Sequence, residues 1–274
     1  MGVKVWKNSS VTTILLLVLF FSVLVFAAPS ISIISDTPAN GTTTGDNSSV
    51  FVNYTVSESN LANISFSWNG SNYSYYDEEL VLMMNLNNVS GLGENSSFIV
   101  DHSSFANNGT YNDSIIDCGY SHQGCALNFT GSEYVNVSYD SSLVLGSEFS
   151  FVAWIYPTNH DSNYNMIVSM DNAGAAGSSS YDFGLKNGKP YLAISDGAWA
   201  EYVGDKNLSK DSSWYHFAAV RNSSDVLNFY IDGKLNKSFS SVKDPQASVM
   251  DVILGARMGN SLYFTGAVDD LFIF

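Results

Sequence analysis

The sequence predicts an all-β protein built mainly of one two-sheet sandwich or jelly roll. Residues that favour strands, such as Val, Ile, Phe, Tyr and Thr, are abundant, while good helix formers are sparse. Charged residues make up 14% of the 274-residue chain, below the roughly 25% usual in soluble domains. Short segments that alternate apolar and polar residues recur between turn residues, and no segment has helical periodicity beyond a turn or two.

Residues 1–28 form a targeting segment. Two lysines precede the apolar run ILLLVLFFSVLVF at 14–26, and a pair of alanines follows it. A positive start, a short apolar stretch and small residues are typical of a secretory signal peptide. An uncleaved N-terminal anchor is the alternative, since the apolar stretch lengthens if its flanks are counted. In both cases we expect the rest of the chain to be secreted or displayed at the cell surface.

Two further features favour an extracellular protein. Fifteen N-x-S/T sequons follow residue 28, which permits a glycoprotein, although many arise by chance in a chain rich in Asn and Ser. The two cysteines, Cys118 and Cys125, are close in sequence, and in an oxidising compartment they predict a local disulfide. A metal site needs more ligands than this pair and the neighbouring His122 supply.

The region 29–77 is predicted to be short and β-rich. The segments SVFVNYTV at 49–56 and NISFSWN at 63–69 alternate as half-buried strands do, and NYSYY at 72–76 is a candidate third strand. These are too few strands for a complete immunoglobulin-like sandwich. We therefore expect a partial, immunoglobulin-like segment that precedes the main domain.

The main domain, residues 79–274, is predicted to contain many short strands in succession. Asn187-Gly188 and Asp232-Gly233 each predict a tight hairpin within it. Strands at this spacing favour a two-sheet sandwich or jelly roll. The predicted strands are 79–86, 125–131, 133–139, 148–157, 165–170, 181–186, 191–195, 199–203, 214–221, 226–232, 234–240, 252–255 and 268–274.

Four segments of this domain resemble laminin-G-like (LamG) jelly rolls of the concanavalin A-like lectin/glucanase superfamily. They are LVLMMNLNNVSG…VDHSSFANNGTY, GCALNFTGSEYVNVSYDSSLVLGSEFSFVAWIYP, WYHFAAVR…LNFYIDGKL and GAVDDLFIF. The segments occur in the order that the family shows and cover 79–274. The resemblance implies the jelly-roll fold and places Trp154 and Trp214 in its core. It implies function poorly, because the fold hosts lectins, adhesins, glycanases and spacer modules.

The resemblance also implies a structural Ca²⁺ ion. Several family members hold calcium between the opening loop and the closing strand, and Asp101 and Asn107 match the loop while Asp269 and Asp270 match the strand. These oxygen ligands suit calcium. The alternative is a satisfied turn, in which Asp and Ser side chains cap nearby backbone amides without a metal.

Carbohydrate binding needs an aromatic platform beside polar groups, and one segment offers both. Tyr181, Asp182, Asp196 and Trp199 are the candidate ligand-binding residues, and Trp199 follows a turn where its ring is expected near an edge. The alternative is that these aromatic rings belong to the core, as most large aromatic residues of a sandwich do.

Catalysis and nucleic-acid binding are not expected. The carboxylate spacing E-x-D-x-x-E of the superfamily's glycanases is missing, and the four histidines are scattered. No nucleophile elbow, zinc-protease motif or phosphate loop is present. The net charge of −15, with no basic run, excludes phosphate-backbone binding and disfavours anionic membranes, so the membrane is a partner only through an uncleaved N-terminal segment.

The sequence therefore predicts a non-catalytic module that binds a carbohydrate or a cell-surface protein, as in adhesion, and the resemblance adds stabilisation by calcium as one of the two alternatives for its opening loop. A structural spacer domain is the first alternative, and a degenerate glycan-processing enzyme is the second. The chain ends at Phe274, the last residue of its last motif. We accordingly expect it to be a piece of a longer surface protein.

Overall fold

The all-β fold class is confirmed by this computed structural model, which forms strands and two single-turn 3₁₀ helices in the part of the chain that it describes. No helix there has the length and apolarity that a membrane span requires. The segment 1–28 lies outside the described residues, so the signal peptide or anchor stays a prediction. The structure describes residues 30–33, 54–57, 64–68, 71–88, 90, 93–95, 97–111, 115–159, 163–208, 213–259 and 261–274.

The chain divides into two compact units, Met1–Leu61 and Ala62–Phe274. In the first unit, strands β1 (Ser30–Ile33) and β2 (Tyr54–Ser57) pair antiparallel. The second unit contains all the other strands. The hairpin of β3 and β4 therefore belongs to the same compact unit as the main domain. The predicted domain boundaries themselves stay predictions.

The second unit contains eighteen described strands. They are β3 (Ile64–Trp68), β4 (Ser71–Tyr76), β5 (Leu82–Met84), β6 (Phe98–Ile99), β7 (Gly109–Thr110), β8 (Ile116–Asp117), β9 (Ala126–Phe129), β10 (Val135–Val137), β11 (Phe149–Pro157), β12 (Tyr164–Met170), β13 (Tyr181–Lys186), β14 (Lys189–Ser195), β15 (Trp199–Val203), β16 (Tyr215–Arg221), β17 (Leu227–Ile231), β18 (Lys234–Phe239), β19 (Val252–Leu254) and β20 (Gly266–Ile273).

Two large antiparallel sheets form the sandwich. Sheet A has the order β15-β14-β13-β12-β19-β10-β7-β6, and sheet B has the order β18-β17-β16-β11-β20-β9-β8, with β5 also paired to β20. Sequence neighbours pair along β12 to β15 and β16 to β18, whereas β19 and β20 insert between strands from much earlier in the chain. Such returns from one sheet to the other are the connections of a jelly roll.

The core lies between the two sheets and includes a stack of phenylalanine rings that joins them. Phe183 of sheet A stacks on Phe151 of sheet B at 5.0 Å between ring centroids, and on Phe217 of sheet B at 4.5 Å. All three side chains are fully buried. Large rings contribute most of the apolar area that a sandwich buries, so this stack fixes the two sheets face to face.

Neither Trp154 nor Trp214 lies in this core, so the predicted core position of both is wrong. Strand β11 alternates strictly, with Phe151, Ala153 and Ile155 buried inward. The same alternation turns Trp154 to the outer side of sheet B, because successive side chains of a strand point to opposite faces. There the ring of His122 stacks on it at 3.6 Å between centroids.

Replacing Phe183 by alanine is expected to lower the free energy of unfolding by about 3–5 kcal/mol, because it removes the ring that contacts both sheets. Chemical denaturation of the full chain measures the change. Leu235→Ala is the control, since Leu235 is 58% exposed on β18 and should cost less than about 0.5 kcal/mol. Equal losses in the two variants would contradict this description of the core.

Candidate functional site

The outer face of sheet A, across β12 to β15, carries a row of aligned side chains. Glu201 lies opposite Ala193, Ala193 opposite Asp182, and Asp182 opposite Ser169. Residues in register on adjacent strands point to the same side of a sheet. The row is therefore small and polar in its centre and acidic at its edge.

An apolar cluster lies beside this row and is separate from the core between the sheets. Met166, Tyr191 and Ala193 are buried on the outer side of sheet A. Four half-buried side chains pack against them, namely Tyr164, Trp199, Val203 and Leu262. We call the surface formed by Tyr164, Lys186, Tyr191, Trp199 and Glu201 the aromatic face.

Glu201 is held in place by three donors from the aromatic face. Its Oε1 accepts hydrogen bonds from the hydroxyls of Tyr164 at 2.7 Å and Tyr191 at 3.3 Å, and its Oε2 pairs with Lys186. Lys186 Nζ also lies 4.7 Å from the centroid of the Tyr164 ring. Burial raises the pKa of Glu201, but the hydrogen bonds from Lys186 and Tyr164 outweigh it, so the pKa is lowered and the carboxylate stays charged.

The Trp199 ring is positioned by the loop that follows β12. Its Nε1 donates a hydrogen bond to the carbonyl of Gly174 at 3.3 Å. The loop owes its shape to Asp171, whose Oδ1 accepts hydrogen bonds from Gly174 N at 2.6 Å and Ser179 Oγ at 2.7 Å. Arg257 Nε lies 3.3 Å from the other oxygen of this buried carboxylate. Trp199 is thus a half-buried ring that is fixed in orientation.

Two buried acids form the floor beneath the aromatic face. Asp171 and Asp182 are 0% and 2% exposed, and Ser169 Oγ donates to Asp182 Oδ1 at 2.6 Å. Burial, together with the charge of Asp171, raises the pKa of Asp182 to about 8, although Ser169 and Arg257 oppose the shift. Asp182 therefore holds a proton at neutral pH, and neither acid presents surface to a ligand.

The four predicted ligand-binding residues separate into different environments. Trp199 and Asp182 share the outer face of sheet A, with Asp182 in its floor. Tyr181 is fully buried between the sheets and donates its hydroxyl to Leu143 O at 3.2 Å, so its prediction as a ligand-facing residue is corrected. Adjacent strand residues cannot share a face. Asp196 lies in the β14–β15 turn, where it pairs with Lys243 Nζ at 2.6 Å.

Sequence reasoning missed Lys186, Glu201 and Arg257 as members or neighbours of the aromatic face. The alternation of β13 and β15 places Lys186 and Glu201 on the same side as Asp182 and Trp199, so the sequence pattern could have predicted both residues. The position of Arg257 could not be predicted from the sequence, because its contact with Asp171 joins two loops that are far apart in the chain.

The opening loop is built around Asp101 as a satisfied turn. The Asp101 Oδ1 atom accepts hydrogen bonds from Met83 N at 2.7 Å and Ser103 N at 2.9 Å. The Oδ2 atom accepts from Ser103 Oγ and Asn107 N, both at 2.7 Å. The Asn107 amide donates to Val81 O and to Ser142 Oγ. A carboxylate offers about four acceptor positions, and all four are used by protein donors here.

Asp269 belongs to a different network, under the disulfide loop. Its Oδ2 accepts from His122 N at 3.1 Å and Gln123 N at 2.9 Å, and its Oδ1 accepts from Asp270 N at 2.9 Å. The disulfide between Cys118 and Cys125 is present as predicted and closes this loop. Burial raises the pKa of Asp269 to about 6.

These two networks do not fit one shared calcium site. The carboxylate oxygens of Asp101 and Asp269 already accept hydrogen bonds from separate sets of protein donors. Asp270 is half-buried beside Asp269, and burial and that neighbour raise its pKa to about 7. Among the described residues, no group of three or more His, Cys, Asp or Glu side chains is arranged to hold a metal. We derive no calcium-dependent step from these residues.

Asp101→Ala is expected to lower the free energy of unfolding by about 2–4 kcal/mol, because four donors lose a buried charged acceptor. The loss should be the same in calcium and in EDTA, as measured by denaturant titration. Asp101→Asn should cost less, since it keeps an acceptor oxygen. A calcium-dependent stabilisation that disappears in Asp101→Ala would restore the predicted calcium site.

Asp182→Asn is expected to weaken the pH dependence of stability. The folded-state pKa of about 8 lies above the ordinary 3.8, so the stabilisation that its proton gives is complete below about pH 4 and is lost as the pH rises through about 8. Thermal unfolding of both proteins at pH 4, 6 and 8 should show the melting temperature of the variant rising relative to that of the native chain. A constant difference would contradict the assignment.

Comparisons with known proteins agree with the observed architecture. Residues 129–274, just over half of the chain, match a laminin G family model described as the concanavalin A-like lectin/glucanases superfamily. No curated protein is similar enough in sequence to match.

Solved structures share the fold at low sequence identity. Domain 4 of AbnA, a GH43 extracellular arabinanase from Geobacillus stearothermophilus in complex with arabinotriose, has a TM-score of 0.54 and 17% identity, with 71% of this chain and 91% of that chain covered. The binding domain of Paraclostridial Mosquitocidal Protein 1 has a TM-score of 0.53 and 18% identity, with 71% and 48% covered. The binding domain of botulinum neurotoxin DC in complex with rat synaptotagmin II has a TM-score of 0.52 and 14% identity, with 72% and 48% covered.

The match spans about half the length of the latter two chains. Identities this low show a shared fold and no more. Together with the family match over residues 129–274, they establish that this chain belongs to the concanavalin A-like lectin/glucanase superfamily and carries a laminin-G-like jelly roll.

Proposed function

We propose that this protein is a non-catalytic, secreted or cell-surface module that binds a glycan on the aromatic face of sheet A. The observation that carries the proposal is the fixed, half-buried ring of Trp199, next to the Glu201–Lys186 pair on the same side of the sheet.

The chemistry of the aromatic face suits a sugar. A pyranose or furanose ring has apolar C–H surfaces between hydroxyl groups, so it needs an apolar plane with hydrogen-bonding groups at its edge. Trp199 and Tyr164 supply rings, and Glu201 and Lys186 supply an acceptor and a donor. Because Glu201 is already held by Lys186 and two tyrosine hydroxyls, little side-chain freedom remains to be lost on binding.

The similar solved structures are compatible with this proposal. One is a domain in complex with arabinotriose and another is a binding domain in complex with synaptotagmin II. A glycan is favoured over a protein surface for this chain because the aromatic face combines a few rings with a charged, hydrogen-bonded edge. A spacer domain would need neither the fixed ring nor the ordered ion pair.

A binding role is favoured over glycan hydrolysis by the state of the acids. Hydrolysis needs an acid and a base or nucleophile that both reach the glycosidic bond. Asp171 and Asp182 form a close pair but have almost no exposed surface. Glu201 is held as a charged carboxylate by Lys186 and Tyr164, so it is a poor proton donor at neutral pH.

Trp199→Ala is expected to weaken glycan binding at least about tenfold, which corresponds to about 1.4 kcal/mol. A glycan array probed with the full chain identifies a bound sugar, and titration calorimetry measures its affinity for each variant. Trp214→Ala is the matched control, because Trp214 is a half-buried tryptophan that packs with Tyr120 and Tyr156 away from the aromatic face.

An unchanged affinity in Trp199→Ala, or an equal loss in Trp214→Ala, would move the binding site away from the aromatic face. A folded chain that binds no glycan on the array would contradict the proposed function.

A further inference from the structure

We infer that the aromatic face selects glycans that carry a carboxylate, with the guanidinium of Arg257 as the group that recognises it. This inference rests on the proposed function and names the class of sugar for the same site. It depends on where the Arg257 side chain lies, which of its nitrogens are used, and how the charges around it balance.

The guanidinium borders the aromatic face. A Cβ atom placed on Gly174 would lie 3.5 Å from both Nη1 and Nη2 of Arg257, so the guanidinium lies directly beside the backbone of Gly174. The carbonyl of the same residue accepts the hydrogen bond from Trp199 Nε1. Arg257 and Trp199 therefore flank one glycine, and a sugar that contacts the Trp199 ring is within reach of the guanidinium.

Arg257 forms an ion pair with Asp171 through one edge, without a hydrogen bond between the two atoms, and leaves the other edge available. Its Nε lies 3.3 Å from Asp171 Oδ2, in a carboxylate that is fully buried. Among the described residues, no acceptor contacts Nη1 or Nη2, and the side chain keeps 24% of its surface exposed. Two adjacent N–H groups in a fixed plane match the two oxygens of a carboxylate.

The backbone around Arg257 also restrains it. The Arg257 amide donates to Ser261 O at 2.8 Å, and Ser261 N donates back to Arg257 O at 3.4 Å. The pair forms an antiparallel bridge shortly after β19. An arginine with a paired backbone and a buried Nε loses little freedom when a ligand binds, which favours recognition over a role as a mobile surface charge.

The local charge permits an anionic ligand although the whole chain carries −15. On the aromatic face Glu201 is paired with Lys186, and beneath it Asp171 is paired with Arg257. Asp182 is the remaining acid of the floor, and burial keeps its proton in place at neutral pH. The repulsion that the acidic chain would otherwise exert on a carboxylate is therefore reduced at this face.

The test compares each acidic sugar with its own neutral ester. Oligosaccharides of galacturonate, glucuronate and mannuronate, and glycans ending in N-acetylneuraminate, are arrayed as free acids and as methyl esters, beside neutral oligosaccharides. The full chain is expected to bind at least one free acid at least tenfold more tightly than its ester.

Variants then assign the preference to Arg257. The double variant Asp171→Asn/Arg257→Gln removes both charges, so no buried carboxylate is left unpaired, and asparagine keeps an acceptor oxygen for Gly174 and Ser179. It should lose the acid preference, so that the free acid and its ester bind with equal affinity. Arg257→Lys should keep part of the preference, because it keeps the charge but loses the planar fork. Lys237→Gln removes a cation of sheet B that is paired with Asp205. It should leave the affinities for acid and ester unchanged.

Each of the other results overturns the inference. Equal binding of acid and ester, or a preference that survives the double variant with its fold intact by thermal unfolding, removes Arg257 from recognition and leaves the proposed function standing. Binding of neutral glycans alone has the same meaning. Binding of no acidic, esterified or neutral probe overturns the inference and the proposed function together.

Discussion

The structure depends on one constraint: every second side chain of each strand must point into the space between the two sheets. The stack of Phe183 on Phe151 and Phe217 fixes which side of β13, β11 and β16 that is. Once the inward side is fixed, the outward side follows without further choice. The outward position of the row from Glu201 to Ser169 thus follows from the packing of the core, and the core holds the strands that carry the aromatic face in place.

The buried acids show how the aromatic face is shaped from beneath. Asp171 organises the loop that holds Trp199 and at the same time anchors Arg257, so one carboxylate positions an aromatic ring and a cation. Burying two acids side by side costs stability, and the raised pKa of Asp182 reflects that cost. An apolar floor would avoid it, but it would hold neither the loop nor the guanidinium in place.

Much of the fold was predictable because its signals are local. Alternation and turn residues predicted most strands of the main domain, and two nearby cysteines predicted the disulfide. The errors concern which face a residue occupies: Trp154 lies outside the core and Tyr181 inside it. Alternation distinguishes two faces but does not say which is buried, and the partner sheet decides that.

The contacts that define the site were less predictable because they join distant loops. The sequence suggested either calcium or a satisfied turn around Asp101, and the structure forms the turn, since four donors from three residues converge on that carboxylate. The pairing of Arg257 with Asp171 likewise depends on the insertion of β19 beside β12. Short sequence motifs carry no information about contacts between residues so far apart in the chain.

The central claim is that a glycan binds against the ring of Trp199. The most direct test is an NMR titration of ¹⁵N-labelled protein with an oligosaccharide that the glycan array identifies as a ligand. The titration follows the indole N–H signals of the five tryptophans. The account predicts that the Trp199 indole signal, assigned by its loss in Trp199→Ala, shifts in a saturable way while those of Trp154 and Trp214 stay in place. A shift at Trp154 or Trp214 with Trp199 unmoved would contradict it and place the binding surface on sheet B.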